Sequence, residues 1–587
     1  MPGRSPSVAE SLPGYVWRAA AAPDARARSL AETLGLPVPL AALLAARGHA
    51  SSDTAGLFLD PLGQKLADPL AVDPLRAAAE RLRQTIDAGG EIVVYGDFDV
   101  DGVVATALLT DMVRHLGGRV RHFLPDRHRE GYGLTTAALD RCLAGGLPAL
   151  FVTVDCGMGA TELLANLQAR GIRLLVTDHH TPAGTFPGDC LVVNPHQEGM
   201  PEPLRHLCGA GVAFQLANGL VKLRGNRPGE RRRLFDWLEA VAVATVADVV
   251  PLLGDNRTLV AFGLQALNRR PRVGLSELMR KSGISCSAID SYHLGFILAP
   301  RLNAAGRMDS AEPAFRLLTT EDADEARGLA ILLDNANSLR KATEQELLER
   351  AGEQLGAWFD PARHGAIVVG GPGWHGGTVG IVAARLMNRY HRPAAVVALD
   401  DAGGGHGSIR AGPAYHAVAA LQACGDCLER LGGHARAAGF TLKRGAFAAF
   451  REAFAAACFA QVGAPASRPE LMIDGWLRRG DLNRELVAGI RRLEPFGEGH
   501  PRPCWGFRDV CFASPPQAIG ADRDHLRLNL RTGDGLPLTA VWFRAGAFLP
   551  LLAAQRGAFD IAGEIQENDF GGETTLQLLV RDARLTP

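Results

Sequence analysis

The central part of the chain alternates short apolar runs with stretches of helical periodicity. From residue 74, PLRAAAERLRQTIDAG spaces its apolar positions every three to four residues, which predicts an amphipathic helix, and EIVVYGD then predicts a short buried strand. RVRHFLP, LPALFVTVDCG and IRLLVTDHH predict further strands, and VVATALLTDMVRHLG and ATELLANLQARG predict the helices among them. Strands that alternate with helices favour a parallel α/β sheet.

A second α/β pattern follows, and the C-terminal region has a different pattern of short strands and turns. Residues 320–358 predict a long, charged helix, and AIVVGGPGWHGGTVGIVAARLMNRYH with AAVVALD predicts strand, glycine-rich turn, helix and strand. Short strands and turns near the C-terminus, such as RLNLRTGDGLPLTAVWF, predict a small antiparallel barrel. We therefore predict five regions: an N-terminal extension (1–70), a first α/β domain (71–319), a connecting helix (320–358), a second α/β domain (359–462) and a β-barrel (463–587).

Composition limits the class of protein. Hydrophobic residues make up 47% and charged residues 21% of the 587 positions, as in ordinary globular proteins. A net charge of −1 carries no overall signature of nucleic-acid binding, so local patches would have to hold such a partner. The ten cysteines follow no framework spacing, and neither a signal-peptide pattern nor an apolar run of about 18 residues appears, which predicts a reduced, cytoplasmic protein without a membrane segment.

Acidic residues collect where the predicted strands end. Asp97, Asp99 and Asp101 stand on alternate positions of YGDFDVDG, where an extended chain would point three repelling carboxylates the same way. The other candidates are Asp155 after FVTV, Asp178-His179-His180 after LLVT, and Asp248 after a helical apolar run.

Such strand ends are where parallel sheets carry their sites. An aspartate at one strand end is more often a helix cap than a ligand, but four such positions in one α/β unit indicate metal binding. Carboxylates with a few imidazoles suit Mn²⁺ or Mg²⁺. Two divalent ions about 3.5–4 Å apart would neutralise the carboxylates and clamp a phosphoryl transfer.

These motifs resemble a known family. GDFDVDG, VTVDCG, TDHHT and TVADVVPL resemble the acidic motifs of the DHH phosphoesterase superfamily, and the order of the later motifs resembles the RecJ family of single-stranded-DNA exonucleases within it. Those later motifs are LAPRLNAAGRM, GWHGGTVGIVAARL, GSIRA, GGHARAAG and LEPFGEGHPRP. The resemblance implies a DHH domain and a DHH-associated domain joined by a long helix, followed by an oligonucleotide-binding (OB) barrel.

The resemblance also implies roles for individual residues. Asp155 resembles the carboxylate that bridges two ions, Asp178 a group that orients His179 or another ligand, and His180 a group that contacts phosphate or stabilises the transition state; these three form the implied catalytic set. The implied metal ligands are Asp97, Asp99, Asp101, Asp155, His179 and Asp248. The implied nucleic-acid contacts are Arg301, Asn303, Arg307, His375, Ser408, Arg410, Gly433 and His434.

Several of these residues also admit purely structural interpretations. The glycines of GGGHGSIRA and GGHARAAG fit tight turns as well as an anion site, and His375 fits a helix cap. Arg301, Asn303 and Arg307 fit hydrogen bonds that hold the two α/β domains together. In the barrel, aromatic residues fit either a core or a base-stacking surface, and periodicity does not separate the two; they are Trp505, Phe507, Trp542, Phe543 and Phe570.

The resulting hypothesis is a two-metal exonuclease that hydrolyses phosphodiester bonds of single-stranded DNA in repair and recombination. Digestion from 5′ to 3′ with release of 5′-mononucleotides, and cooperation with single-strand-binding protein and a RecQ-type helicase, are implied by the resemblance alone. One alternative is a DHH phosphodiesterase for short oligoribonucleotides or cyclic dinucleotides. Another is a catalytically silent scaffold, which the complete set of metal-ligand positions argues against.

Overall fold

The computed structural model describes residues 10–127, 129–131, 133–182, 184–284, 288–361, 363–462, 469–570 and 573–585. The chain divides into two compact units. The first unit combines residues 1–64, 467–496 and 501–587, and the second comprises residues 65–466 and 497–500.

The strands, in chain order, are β1 Glu10–Ser11, β2 Val16–Ala19, β3 Glu91–Tyr95, β4 Arg119–Phe123, β5 Leu150–Val154, β6 Arg173–Thr177, β7 Leu191–Val193, β8 Ile367–Pro372, β9 Ala394–Leu399, β10 Gly405–Arg410, β11 Leu428–Gly433, β12 Ala437–Leu442, β13 Glu470–Ile473, β14 Gly475–Trp476, β15 Trp505–Phe512, β16 Gln517–Ile519, β17 His525–Arg531, β18 Pro537–Trp542, β19 Phe559–Phe570 and β20 Glu573–Leu585.

The α-helices, in chain order, are α1 Ala25–Leu34, α2 Val38–Ala46, α3 Ser52–Leu59, α4 Asp73–Asp87, α5 Val100–His115, α6 Thr136–Leu143, α7 Thr161–Ala169, α8 Gly209–Leu223, α9 Pro228–Phe235, α10 Leu238–Ala247, α11 Gly254–Arg269, α12 Val273–Lys281, α13 Ser291–His293, α14 Ala299–Met308, α15 Glu312–Thr319, α16 Ala323–Trp358, α17 Val379–Tyr390, α18 Ala417–Gln422, α19 Phe447–Val462, α20 Arg484–Arg492 and α21 Leu549–Ala554.

The second unit begins with the predicted parallel sheet. Its five strands lie in the order β4-β3-β5-β6-β7, and every neighbouring pair is parallel. The middle strands are apolar on both faces because helices cover both, as the continuous buried run of β5 shows. Since all strands run the same way, the residues that follow β3, β5 and β6 emerge at one edge. This edge carries the acidic motifs.

Helix α16 connects this sheet to a second one. It runs unbroken for 36 residues, and the carboxylate of its N-cap, Asp322, accepts the backbone N–H groups of Asp324 and Glu325. The second sheet has the order β11-β12-β10-β9-β8, with β8 and β9 parallel and the remaining pairs antiparallel. The predicted architecture of two α/β domains joined by a long helix is confirmed.

The first unit contains the C-terminal barrel. Seven strands follow the path β14-β15-β19-β20-β18-β17-β16, β1 adds to β20, and a further pairing of β15 with β17 closes the path on itself. The core of this unit includes the indole of Trp505 and the ring of Phe559, both buried. The predicted C-terminal β-barrel is therefore confirmed.

The N-terminal residues belong to the same unit as the barrel. Strand β2 pairs in parallel with β13, and the buried carboxylate of Asp582 accepts hydrogen bonds from Ser11 Oγ at 2.5 Å and Trp17 Nε1 at 2.6 Å. These two hydrogen bonds join positions 571 and 565 residues apart in the chain. The five domain boundaries given above stay predictions, and the boundary at 462/463 adjoins residues outside the described part of the chain.

Among the described residues, no single helix is long and apolar enough to cross a membrane. Helices α1 and α2 reach the required length and hydropathy only when they are taken together, and they are bent by 114° at the break between them.

A buried carboxyl group on α10 makes the stability of the second unit depend on pH. Glu239 is 1% exposed, and its carboxylate accepts the backbone N–H of Arg272 at 2.9 and 3.0 Å. Burial raises the pKa of Glu239 from 4.5 to about 7, against the opposing effect of that hydrogen bond. The folded state therefore holds this proton more tightly than the unfolded state, and the associated stabilisation is lost as the pH rises through about 7.

We predict that Glu239→Gln, which keeps an acceptor and cannot ionise, raises the melting temperature relative to the parent at pH 8 more than at pH 5. Thermal unfolding at both pH values measures the difference. The exposed Glu346 on α16 supplies the matched control, Glu346→Gln. An equal effect of Glu239→Gln at both pH values would contradict the assignment.

Candidate metal centre and nucleic-acid cleft

The three aspartates after β3 lie on a turn and not on an extended chain. Strand β3 ends at Tyr95 and α5 begins at Val100, so Asp97 and Asp99 lie in the loop between them and Asp101 lies in the first turn of the helix. The expectation that an extended chain presents all three side chains alike is wrong. The turn brings Gly102 against Asp97, where a Cβ atom would lie 2.6 Å from the backbone nitrogen of Asp97, so glycine at this position permits the turn.

Backbone N–H groups hold two of these carboxylates in place. Asp99 is the N-cap of α5, and its Oδ1 accepts the N–H groups of Asp101 at 3.1 Å and Gly102 at 3.2 Å. Asp101 is held by the start of α8, where Gly209 N–H and Ala210 N–H donate to its two carboxylate oxygens at 2.6 and 2.9 Å. The positive ends of two helices thus offset part of the negative charge.

Asp155 and Asp248 approach from two other elements. Asp155 follows β5 with a left-handed φ of 59°, a conformation that aspartate tolerates better than most residues. Its side chain packs against α8, since a Cβ atom at Gly209 would lie 2.6 Å from the Cβ of Asp155. Asp248 is the C-cap of α10, and the next residue, Val249, has a left-handed φ of 59°. A β-branched residue in that region is strained, which marks this turn as constrained by its surroundings.

The donor atoms of three residues converge without partners. His179 Nε2 lies 3.2 Å from Asp155 Oδ1, 3.4 Å from Asp248 Oδ2 and 3.8 Å from Asp101 Oδ2. The first three of these atoms are buried and make no hydrogen bond with any described residue. Burial lowers the pKa of His179, against the effect of the nearby carboxylates, so the imidazole is neutral at pH 7. A divalent cation would satisfy all of these atoms at once, so the residues fit a metal ion.

The pKa values of the carboxyl groups also indicate that this site favours a bound cation. Burial, then the charge of Asp101, raises the pKa values of Asp155 and Asp248 well above the usual range. Burial and the charge of Asp99 raise the pKa of Asp97 to about 8. Burial and mutual repulsion thus disfavour the ionised carboxylates, and a bound metal ion would favour them by displacing protons.

Two groups of ligand-type atoms share this space. Asp101, His179 and Asp248 form one group, and Asp97, Asp99 and Asp155 form another, each with atoms within 4.8 Å of one another. Two adjacent groups are the arrangement that a pair of ions requires. His180 forms a third group with Asp155 and His179, so it stands among the possible ligands, a position that the sequence analysis did not give it.

Asp178 is engaged with His180. Its Oδ1 accepts the Nδ1–H of His180 at 2.7 Å, and its Oδ2 accepts the N–H of Met158 at 3.1 Å. These bonds support an orienting role for Asp178, but the side chain that it orients is that of His180 and not that of His179, which the sequence analysis named. Against the effect of burial, the hydrogen bond and charge of Asp178 raise the pKa of His180 to about 9. The imidazole side chain is 41% exposed, and its bond to Asp178 holds it in one orientation.

Arginines from three elements lie beside the acidic groups. Burial, together with the charges of Arg127, Arg410 and Arg340, lowers the pKa of Arg307 to about 10, against the opposing effect of Asp99. Arg127 and Arg410 also lie close enough to interact. Burial is the largest cause of the lowered pKa of Arg410, and the charge of Arg127 is the second. We call Arg127, Arg307 and Arg410 the arginine cluster. It lies where the two α/β domains meet, since a Cβ atom at Gly377 would clash with the carbonyl oxygen of Arg307.

The sequence analysis did not select Arg127. Its guanidinium carbon lies 5.0 Å from the centre of the Phe98 ring, so it reaches the loop that carries Asp97 and Asp99. It follows β4 at the edge where β3, β5 and β6 also end. Its place after a predicted strand was the available signal.

The second α/β domain places its predicted contacts around Arg410. Arg410 Nη1 donates to Ser408 Oγ at 2.9 Å and to the carbonyl of Ile409 at 2.8 Å. His434 is an exposed residue whose imidazole is partly desolvated, and this desolvation, followed by the charges of His180, Arg410 and Arg436, lowers its pKa. His434 therefore lies within electrostatic reach of His180 and Arg410. Gly433 has a φ of 133°, which a glycine accepts readily.

Three other predicted contacts are engaged within the protein. Arg301 Nε donates to Asp334 Oδ1 at 2.9 Å, which ties α14 to α16, and Asn303 Oδ1 accepts the N–H of Val100 at 2.8 Å. His375 Nδ1 accepts the N–H of Gly377 at 3.1 Å within its turn. The bonds of Arg301 and Asn303 stay within the first α/β domain and the connecting helix, so they do not join the two α/β domains as the structural interpretation expected. Contact of all three residues with nucleic acid stays a prediction.

The barrel aromatics separate into core and surface. Trp505, Phe507 and Trp542 are 0%, 1% and 5% exposed, whereas Phe543 is 56% exposed and meets the ring of His525 edge-on at 5.0 Å. The side chain of Phe570 lies outside the described part of the chain. Phe543 is therefore the aromatic of this set that the described structure offers to a base.

Three family models match successive parts of the chain: the DHH family, N-terminal domain at residues 91–245, the DHHA1 domain at 364–459 and the RecJ OB domain at 473–582. The single-stranded-DNA-specific exonuclease RecJ of Bacillus subtilis is 33% identical over 563 residues, which are 96% of this chain and 70% of that protein.

Two solved structures are similar along nearly the whole chain. The crystal structure of RecJ in complex with Mn²⁺ from Thermus thermophilus matches with a TM-score of 0.82 and 32% identity, over 97% of this chain and 79% of that one. The crystal structure of RecJ in complex with Mg²⁺ from the same organism matches with a TM-score of 0.76 and 30% identity, over 97% and 78%.

The parallel sheet with its carboxylate and histidine edge, the long helix and the second α/β domain define the class of the protein, a DHH phosphoesterase. The added OB barrel and the similarity along the full length narrow that class. The chain belongs to the RecJ family of single-stranded-DNA-specific exonucleases.

We predict that Asp155→Asn abolishes the rise in melting temperature that Mn²⁺ produces in the parent. Asparagine keeps the side-chain shape and tolerates the left-handed φ of this position, but it removes a charge shared by two of the ligand groups. Thermal unfolding with and without Mn²⁺ measures the effect, and exposed Asp401→Asn is the control. An unchanged Mn²⁺-dependent shift would contradict the assignment of Asp155 as a ligand.

We predict that Phe543→Ala weakens the binding of a long single strand by about 1–3 kcal/mol, the value of one base stacked on an aromatic side chain, and leaves the melting temperature unchanged. Trp542→Ala, at the neighbouring buried position, should instead lower stability by about 3–5 kcal/mol. Fluorescence anisotropy with a labelled strand and thermal unfolding separate the two effects. Unaltered strand affinity in Phe543→Ala would contradict the stacking role.

Proposed function

We propose that this chain is a metal-dependent exonuclease that digests single-stranded DNA from 5′ to 3′, releases 5′-mononucleotides and acts in DNA repair and recombination. The observation that carries the proposal is the juxtaposition of the unpartnered donor atoms of Asp155, His179 and Asp248 with the arginine cluster. The first feature suits divalent cations, and the second suits the phosphates of a strand. Membership of the RecJ family supports the substrate, and the direction of digestion rests on that family alone.

Mn²⁺ or Mg²⁺ is the cofactor that the ligand set supports. Asp97, Asp99 and Asp155 would hold one ion, and Asp101, His179 and Asp248 the other. When bound, such ions activate water and offset the charge that gathers on the phosphoryl oxygens. Hard carboxylate oxygens with one or two imidazoles fit these ions, and no cysteine belongs to any of the ligand groups found among the described residues.

The remaining residues bind and orient the strand. Arg410 presents its planar guanidinium beside Ser408, a geometry that suits a terminal phosphate. The mutual repulsion within the arginine cluster is relieved when an anion enters, which favours a phosphate there. Asp178 fixes the ring of His180 through Nδ1, and in that orientation the protonated imidazole can approach a phosphoryl oxygen.

Further roles follow from family membership and composition. We place the enzyme in the cytoplasm, where single-strand-binding protein and a RecQ-type helicase would supply and expose its substrate. The OB barrel supports binding of the strand, since such barrels stack bases on exposed aromatics such as Phe543.

One digestion series tests the proposal. Single strands and duplexes labelled at the 5′ or the 3′ end are incubated with Mg²⁺ or Mn²⁺, and the products are resolved over time. We expect single strands alone to shorten, with the 5′ label released first as a mononucleotide. A long strand left intact while dinucleotides are cleaved would instead indicate a phosphodiesterase for short substrates, and early release of the 3′ label would overturn the direction.

We predict that Arg410→Gln weakens binding of a 5′-phosphorylated single strand and lowers the salt dependence of its affinity by about 0.7 in log–log slope, the value of one phosphate contact. Arg410→Lys keeps the charge and should preserve most of the slope while losing the paired hydrogen bonds. Binding is measured by anisotropy in metal-free buffer from about 50 to 200 mM salt. A slope unchanged in Arg410→Gln would show that Arg410 contacts no phosphate.

A further inference from the structure

Helix α14 lies directly against the loop that carries Asp97 and Asp99. A Cβ atom at Gly306 would lie 2.5 Å from the carbonyl oxygen of Phe98, so helix and loop meet backbone to backbone. Glycine at this position allows the approach. One turn earlier on the same helix stands Asn303.

Asn303 forms a defined contact with the loop. Its Oδ1 accepts the backbone N–H of Val100 at 2.8 Å. A backbone N–H can only donate, so the orientation of the amide is determined: its oxygen faces the loop. Asn303 also lines a cavity of about 160 Å³ together with Arg307, Arg340 and Ile381.

This contact matters for the neighbouring ligand. Val100 is the first residue of α5, and its N–H has no carbonyl partner within the helix. The N-cap carboxylate of Asp99 already accepts two N–H groups through Oδ1, and its Oδ2 accepts no hydrogen bond from the described residues. If Asn303 did not accept the N–H of Val100, that donor would compete for the same carboxylate. Asn303 thus leaves Asp99 Oδ2 available to a cation.

We infer that Asn303 is a positioning residue for the metal centre and not a contact of the DNA strand. It acts through Val100 and Asp99, and it fixes the turn from the loop into α5. The inference rests on the proposed function for the identity of the cation, but its test does not require digestion of DNA.

The test compares three variants with the parent. Asn303→Leu keeps the approximate size and removes the acceptor, Asn303→Asp keeps an acceptor, and Asn335→Leu on the exposed face of α16 is the matched control. Affinity for Mn²⁺ is measured by calorimetry without DNA, and affinity for a single strand is measured by anisotropy in metal-free buffer.

We expect Asn303→Leu to bind Mn²⁺ about 10–100-fold more weakly, which is the usual effect of substituting a group that orients a metal ligand. Its affinity for the strand should stay within about twofold of the parent. Asn303→Asp should restore Mn²⁺ binding, and Asn335→Leu should change neither. The reverse result, normal Mn²⁺ affinity with weakened strand binding in Asn303→Leu, would overturn the inference and make Asn303 a strand contact.

Two further outcomes are decisive. If Asn303→Leu does not fold, as judged by circular dichroism, Asn303→Ala takes its place with the same expectation, and normal Mn²⁺ affinity there overturns the inference. If the parent binds Mn²⁺ and loses affinity in Asn303→Leu but digests no single strand, the proposed function fails while the positioning role stands. If it digests the strand and Asn303→Leu keeps its Mn²⁺ affinity, the positioning role alone fails.

Discussion

Several carboxylates are buried together at one edge of the parallel sheet, and the site depends on how the repulsion among them is compensated. Asp97, Asp101 and Asp155 are each no more than 2% exposed, so water does not screen their charges. Backbone N–H groups at the starts of α5 and α8 supply part of the compensation. The atoms around His179 that make no hydrogen bond are where cations would compensate the rest of the negative charge. Affinity for metal is thus a consequence of how this edge folds.

The backbone around this edge of the sheet is also shaped by the need to bring the buried carboxylates together. Asp155 and Val249 adopt left-handed conformations, and glycines stand where helices approach the ligands most closely, at Gly209 and Gly306. These features cost conformational freedom or strain, and the surrounding packing has to hold them in place. Helix α14 is an example. Its backbone contacts the loop that carries Asp97 and Asp99, and its ten residues also include Asn303 and Arg307.

Opposite charges lie side by side in this unit and cancel in the total. The arginine cluster adjoins the acidic groups, and the influence of Asp99 on the pKa of Arg307 shows how close the two regions are. A net charge of −1 over the whole chain therefore conceals a cluster of arginines beside a cluster of carboxylates. That pairing is what hydrolysis of a polyanion requires, because the strand must approach carboxylates that would otherwise repel it.

The sequence by itself determined the elements of the two α/β domains, the long helix and the strand ends that carry Asp97, Asp155 and His179. Apolar periodicity sets those elements, and parallel strands necessarily bring their carboxyl ends to one edge. Only the tertiary structure decided that Asp178 holds His180, that Asn303 faces the loop and Arg127 joins the cluster, and that Ser11 and Trp17 bond to Asp582. These contacts join residues of distant elements, or depend on how a side chain turns, and the spacing of apolar residues specifies neither.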